Sequence, residues 1–161
     1  MPYYAVFIQA TMKNISSLCL PEDLEWQLDV EEIGGGQDAR KNITFADQEC
    51  VDPTSRSNFQ MTWDQGTRAT IKVVQQEELP RRLRHYSSAL GQFRGLEADD
   101  PARKCVAIFD CRGLKPVRAE AVGLAVAKDS DGFEYDVDLE EPAWRRGDAS
   151  VQGLSFVLRP L

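Results

Sequence analysis

No CxxC pair occurs in this sequence, although it contains four cysteines, Cys19, Cys50, Cys105 and Cys111. Their scattered spacing excludes a paired-cysteine metal or redox motif, and in a reducing compartment they read as small buried hydrophobes or free thiols. Histidine is almost absent as well: His85 is the sole one. No apolar run approaches the roughly 20 residues that span a bilayer, and the opening MPYYAVFIQATMKN has no basic region ahead of a long apolar segment. The chain is therefore expected to be soluble and cytoplasmic, with the nucleus also open to it, and the sequons at Asn14 and Asn42 are expected to stay silent. Cationic excess is missing too. A net charge of −7 and a pI near 4.8 repel nucleic-acid phosphates and acidic membrane surfaces, so neither is an expected partner.

What the chain does have is alternation. In LEWQLDVE, Leu24, Trp26, Leu28 and Val30 alternate with acidic and amide residues, and in FEYDVDLE, Phe133, Tyr135, Val137 and Leu139 do the same. Each predicts a strand with one face on a core and the other in water. Further strands are predicted over 3–11, 57–63, 67–74, 104–111, 120–127 and 151–158, about eight in all, with TWDQGTR turning between two of them. They fall into two sets of four. An opening strand running into TMKNISSLCLP is faintly echoed a hundred residues later by one running into FDCRGLKPV, and each precedes an amphipathic strand. The expected fold is a single all-β domain over 1–161, with related four-stranded antiparallel halves at 1–78 and 103–161 joined in an elongated barrel or sandwich with a pseudo-twofold repeat. Such closure protects sheet edges.

One short inserted helix interrupts the pattern within 79–102. In LPRRLRHYSSALG, Leu79, Leu83, Tyr86 and Leu90 form one stripe, Pro80 suits the first turn, and Gly91 suits the far end. Arg81, Arg84 and His85 form the opposite face. That face reads either as a docking site for an acidic partner or as a solvated surface.

The run Gly34-Gly35-Gly36 follows the LEWQLDVE strand, but GGGQDARKNITF leads to another strand-like segment and contains no GK[ST]. It is not a phosphate loop. A tight loop inside the first half is the remaining reading.

Taken together, ATMKNISSL, LEWQLDV, FDCRGLKPV and FEYDVDLEEPAW, in this order over nearly the whole length, resemble the eukaryotic CXXC motif containing zinc binding proteins, a small family of poorly understood function. The resemblance implies an elongated β-structure of two related four-stranded halves, and a structural zinc held by two CxxC pairs. It places those four ligands at Glu32, Gly35, Thr62 and Gln65, of which none is cysteine. The first knuckle reads EIGGG and the second lies in TWDQG. Glu32, Asp64 and Gln65 offer hard oxygens where zinc needs about four N or S donors, so no metal and no other cofactor is expected. Cross-strand packing of Phe59, Met61 and Trp63 against Ile71 and Val73, roughly 0.2–1 kcal/mol per pair, is the expected substitute. The basic helix departs from the family pattern as an insertion.

Catalytic constellations are lacking. His85 lies beside arginines in the insertion, so a Ser-His-Asp or Cys-His arrangement would need a site outside the family pattern, and it reads as a surface residue. Cys105 and Cys111, on one predicted strand, are placed on the same face with Ala107 and Phe109, where apolar neighbours raise a thiol pKa. Asp136 and Asp138 read as solvated edge charges rather than an acid/base pair. Trp144 beside Arg145 and Arg146 has the composition of a binding hot spot, although a tryptophan closing a barrel end explains it equally. The sequence thus predicts a non-enzymatic protein-interaction or adaptor module, a zinc-less family member, with Arg81, Arg84, His85, Trp144 and Arg145 as candidate partner-binding residues. The alternative is a metal-handling or thiol-dependent enzyme role through Cys105 and Cys111.

Overall fold

The computed structural model describes residues 2–20, 24–34, 37–49, 56–89, 96–97 and 104–161. Among these are thirteen strands: β1 Tyr3–Lys13, β2 Ile15–Cys19, β3 Glu25–Glu32, β4 Ala39–Thr44, β5 Phe59–Thr62, β6 Arg68–Val73, β7 Leu96–Glu97, β8 Lys104–Arg112, β9 Leu114–Val122, β10 Leu124–Asp129, β11 Glu134–Asp138, β12 Ala143–Arg146 and β13 Ala149–Pro160. Short 3-10 turns η1 Phe45–Asp47 and η2 Gln76–Glu78, and the longer 3-10 helix η3 Arg81–Ala89, complete the described elements. The all-β expectation holds. The count of eight does not, because β2, β4, β7 and β12 are short strands that lack the long apolar alternation on which the sequence reading relied, and the predicted 120–127 is two strands, β9 and β10.

The strands form a six-stranded sheet in the order β12-β13-β1-β8-β6-β5, a four-stranded sheet β11-β10-β2-β7 and a three-stranded sheet β4-β3-β9. Two left-handed residues take the chain from one sheet to the next. Asn14, with φ 54°, ends β1 and starts β2; Gly113, with φ 73°, does the same between β8 and β9. Only glycine fits at 113, since a Cβ there would lie 2.3 Å from the Arg68 carbonyl oxygen. A third break, at Gly123 with φ 135°, divides the predicted strand 120–127 between β9 and β10.

Exchanging β1 with β8, β2 with β9, β3 with β10, β4 with β11, β5 with β12 and β6 with β13 leaves the pairing order unchanged, with β7 left over. The correspondence is one of strand order. Within it β3 answers to β10 rather than to 120–127, because of the break at Gly123.

All three sheets contribute to one apolar core, which includes Val6, Leu28, Phe59, Phe109, Ala125 and Val151. A second cluster, with Tyr3, Ala5, Val74, Leu79, Leu83 and Ile108, covers the other face of the six-stranded sheet. β8 is consequently buried on both faces, which explains its unbroken apolar run Cys105 to Phe109. Its register against β1 shifts, with Val6 opposite Ala107 and Phe7 opposite Cys105, so Val106 is an extra residue in a bulge. This corrects the placement of the two thiols: Cys105 joins the second cluster and Cys111 the main core, on opposite faces of the sheet.

The predicted strand 133–140 is shorter at both ends, as β11 spans Glu134–Asp138. Phe133 is 64% exposed and belongs to the turn, where its N–H donates to Asp129 Oδ1 at 2.9 Å, while Val137 and Leu139 are buried as predicted. The helix is present as a 3-10 helix. Leu83 and Tyr86 are three residues apart, which matches its three residues per turn, and Leu83 N–H donates to the Pro80 carbonyl at 2.8 Å. Leu79 and Leu83 are buried and Tyr86 half-buried against the second cluster; Leu90 and Gly91 lie outside the described residues.

Candidate functional site

The two knuckle loops come first. Glu32 N–H donates to the Asp38 carbonyl at 2.8 Å and closes the first loop, and Gly34 takes φ 89° with open space around it, so its backbone conformation is what calls for glycine. In the second loop Gly66 N–H donates to Trp63 O at 2.7 Å and Trp63 N–H to Thr67 O at 2.9 Å. Glu32 is buried, with Oε2 lacking a hydrogen-bond partner among the described residues; Thr62 and Gln65 are exposed, and Gly35 lies outside the described residues. Zinc does not fit this set. The described members of the set offer one carboxylate, one hydroxyl and one amide where the resemblance implies thiolates, and no group of three His, Cys, Asp or Glu side chains converges among the described residues.

A different clasp holds the loops. Arg40, on the strand that leaves the first loop, forms an ion pair through Nη1 with Glu49 Oε1 and donates through Nη2 to Thr62 O at 3.3 Å. Glu49 Oε2 in turn accepts from Thr62 N–H at 3.4 Å, and the Arg40 guanidinium lies over the Trp63 ring, 5.6 Å from its centroid. Trp63 is 2% exposed and its Nε1–H donates to Gly113 O at 2.9 Å, tying the second loop to FDCRG. Of the predicted cross-strand packing one pair is present, Phe59 opposite Ile71 and both buried; Met61 faces Ala69 instead, and Val73 pairs with Phe109 of β8. Arg40 and Glu49 were not picked out by sequence, because a polar pair nine residues apart across η1 leaves no periodic signal.

The clasp sits between β4 and β5, the outer strands of two different sheets. Its counterpart in the strand order is the seam between β11 and β12. There the Trp144 ring lies 5.4 Å from the Tyr135 ring, the Arg146 guanidinium stands 5.0 Å over Tyr135, and the Tyr135 hydroxyl donates to Asp129 Oδ2 at 3.1 Å. Half-buried Trp144 therefore joins two sheet edges. Arg145, next to it, is exposed.

The remaining candidates are not gathered at one place. Arg81, Arg84 and His85 are exposed on η3, which packs on β8, whereas Trp144 and Arg145 are on β12, separated from β8 by β13 and β1. Arg82, unremarked in the sequence, stands 5.8 Å over the Tyr3 ring and anchors η3 to β1. Both core thiols are raised by burial, Cys105 to about 11 and Cys111 further still, with the Asp110 charge adding to the latter. Neither has the electropositive, accessible surroundings of a reactive cysteine. Asp136 and Asp138 are exposed on β11, at an edge of its sheet, and Asp138 Oδ1 accepts from Glu140 N–H at 2.9 Å.

The pairing order of these thirteen strands, with the EIGGG loop and the β5–β6 turn held side by side and no cysteine in either, defines the class of β-scaffold to which the chain is compared. The family model described as CXXC motif containing zinc binding protein, eukaryotic, matches residues 5–150, and the chain belongs to this family. Among solved structures it is similar to a hypothetical protein from Plasmodium falciparum, with 20% identity and a TM-score of 0.73, covering 99% of this chain and 100% of that one. It is similar also to C1orf123, with 18% identity and a TM-score of 0.65 over 99% of each chain. Comparison with curated proteins gives no match. No helix among the described residues is long and apolar enough to cross a membrane.

Proposed function

We propose that this chain is a non-catalytic protein-interaction module, a family member that keeps the scaffold without zinc and docks an acidic protein partner through η3. The observation that carries the reading is the division of that helix: Leu79 and Leu83 are buried on the sheet, while Arg81, Arg84 and His85 are exposed on a protein whose net charge is −7. Cations gathered on one surface of an acidic protein steer an acidic partner and orient it. The absence of cysteine at the four family positions and the burial of Cys105 and Cys111 support a role without metal or thiol chemistry. Cytoplasmic residence and a partner that is neither nucleic acid nor membrane belong to the same reading.

The test replaces Arg81, Arg84 and His85 together by alanine. Exposed charges contribute within about 0.5 kcal/mol to stability, so the melting temperature should hold. Partners recovered from native extract should be lost, and the salt dependence of any residual binding should flatten. Retention of every partner at unchanged affinity would reduce η3 to a solvated surface.

A further inference from the structure

On the outer face of the six-stranded sheet, β6 and β8 place two cross-strand pairs side by side, Thr70 opposite Arg112 and Lys72 opposite Asp110. Their neighbours Ile71 and Cys111 point into the core at 0% exposure, so the alternation of the strands turns these four residues outward. With Arg56 and Ser57 they line a cleft of about 280 Å³. That volume suits a small molecule of few heavy atoms rather than a drug-sized ligand.

The charges in the cleft are unusual for this chain. Three cations, Arg56, Lys72 and Arg112, surround one carboxylate in a protein that is acidic overall. Lys72 also pairs with Glu78, the last residue of η2, at 2.8 Å. Arg112 is 66% exposed and reaches Asp110 Oδ2 only at a long 3.5 Å. The Asp110 side chain is 14% exposed, and its Oδ1 is buried with no hydrogen-bond partner among the described residues. A buried acceptor left without a donor carries a desolvation penalty, and such atoms are rare in folded proteins.

We propose that this cleft binds a small phosphate monoester carrying an ammonium group, with Arg56, Lys72 and Arg112 taking the phosphate oxygens and the exposed side of the Asp110 carboxylate, at Oδ2, taking an ammonium N–H. Guanidinium groups match the planar spread of phosphate oxygens, and Thr70 adds a hydroxyl beside Arg112. A plain anion would meet the Asp110 charge with nothing to offer it; a divalent cation would meet three positive side chains and one carboxylate. Only a ligand with both signs satisfies the whole lining. The site goes beyond the docking reading and does not rest on it, since none of Arg81, Arg84 and His85 is among the described residues that line the cleft.

Calorimetric titration of the full chain with phosphoethanolamine, inorganic phosphate and ethanolamine tests the assignment. Phosphoethanolamine should bind about tenfold more tightly than phosphate, the worth of one charge-assisted hydrogen bond, and ethanolamine alone should not bind detectably. Asp110→Asn should bring phosphoethanolamine down to the phosphate level, and Arg112→Ala should weaken both, with melting temperatures unchanged. The Arg81, Arg84 and His85 triple replacement should bind phosphoethanolamine as the parent does, which separates this site from η3. Equal affinity for phosphoethanolamine and phosphate in the parent, a preference that survives Asp110→Asn, or no binding of either would overturn the proposal. So would equally tight binding of an N-acetylated phosphoserine peptide, which has the phosphate without the ammonium.

Discussion

Arg40 pairs with Glu49 across the gap that separates the two knuckle loops, and the same guanidinium covers the ring of Trp63. A structural zinc supplies on the order of 10–16 kcal/mol of binding energy to a small metal-dependent fold, whereas a partly exposed ion pair contributes about 0.2–1 kcal/mol. With Arg40 and Glu49 side chains 29% and 44% exposed, the pair cannot carry the loops by itself. The packing beneath it must. A double-mutant cycle of Arg40→Ala and Glu49→Ala should therefore give a coupling of about 1 kcal/mol or less, while Met61→Ala, at a site with 0% exposure, should cost about 2–5 kcal/mol in chemical denaturation.

Trp63 and Gly113 offer a second test. Replacing Trp63 with Phe keeps a ring in the core but leaves the Gly113 carbonyl without its 2.9 Å donor, a loss of about 1–3 kcal/mol. Gly113→Ala should be worse, because the new Cβ would collide with backbone at 2.3 Å in a left-handed conformation. Thermal melting should rank the parent above Trp63→Phe and Trp63→Phe above Gly113→Ala. A Gly113→Ala protein as stable as the parent would show that the bend between β8 and β9 is not fixed as described.

The buried thiols make stability fall in base. Burial raises Cys105 from 9.0 to about 11 and Cys111 beyond it, so the folded chain holds both protons more tightly than the unfolded chain. Their contribution is fully present below pH 9; that of Cys105 is lost as pH rises through about 11, and that of Cys111 goes on falling above it. In a Cys50→Ser background, a thiol reagent at pH 8 should modify half-exposed Cys19 and spare Cys105 and Cys111 until denaturant is added. Rapid native labelling of Cys111 would instead revive a thiol-dependent role.

Asp29 acts at the acid end. It sits opposite Arg118 in the β3–β9 register, accepts from its Nε at 3.0 Å and from its Nη2 at 3.2 Å, and is held below its ordinary 3.8, first by that side-chain hydrogen bond. The stabilisation is present above the unfolded value and disappears as pH falls through the lower folded one. Asp29→Asn should therefore lower the melting temperature at pH 7 by an amount equivalent to about 1 kcal/mol, and the gap to the parent should close towards pH 2. A gap of constant size would show that the fork contributes nothing through its charge.

Much of the fold was legible where one face of a strand is wet. Trp26, Leu28 and Val30 alternate with polar residues and are all buried as the pattern requires. The pattern failed where both faces are dry or the strand is short. The bulge at Val106 sends Cys105 and Cys111 to opposite faces, and a bulge has no periodic signature in a run that is apolar throughout. Polar β4 and β12 lie at sheet edges and pair on one side only, so little apolar surface marks them. For the site, the lack of cysteine in EIGGG and TWDQG was visible, and so was the exposed face of η3 in the spacing of its leucines. The Arg40–Glu49 clasp, the Trp144–Tyr135 seam and the cleft beside Asp110 depend on contacts between distant strands, which no local pattern encodes.

The central claim is that this scaffold stands without the metal of its family, and metal content with melting behaviour tests it most directly. Protein purified without chelator, dialysed and examined by elemental analysis should contain far less than one zinc per chain, and its melting temperature should be the same with excess EDTA as with added zinc. About one zinc per chain, together with a melting temperature that drops in EDTA and recovers with zinc, would contradict the account at Glu32, Thr62 and Gln65.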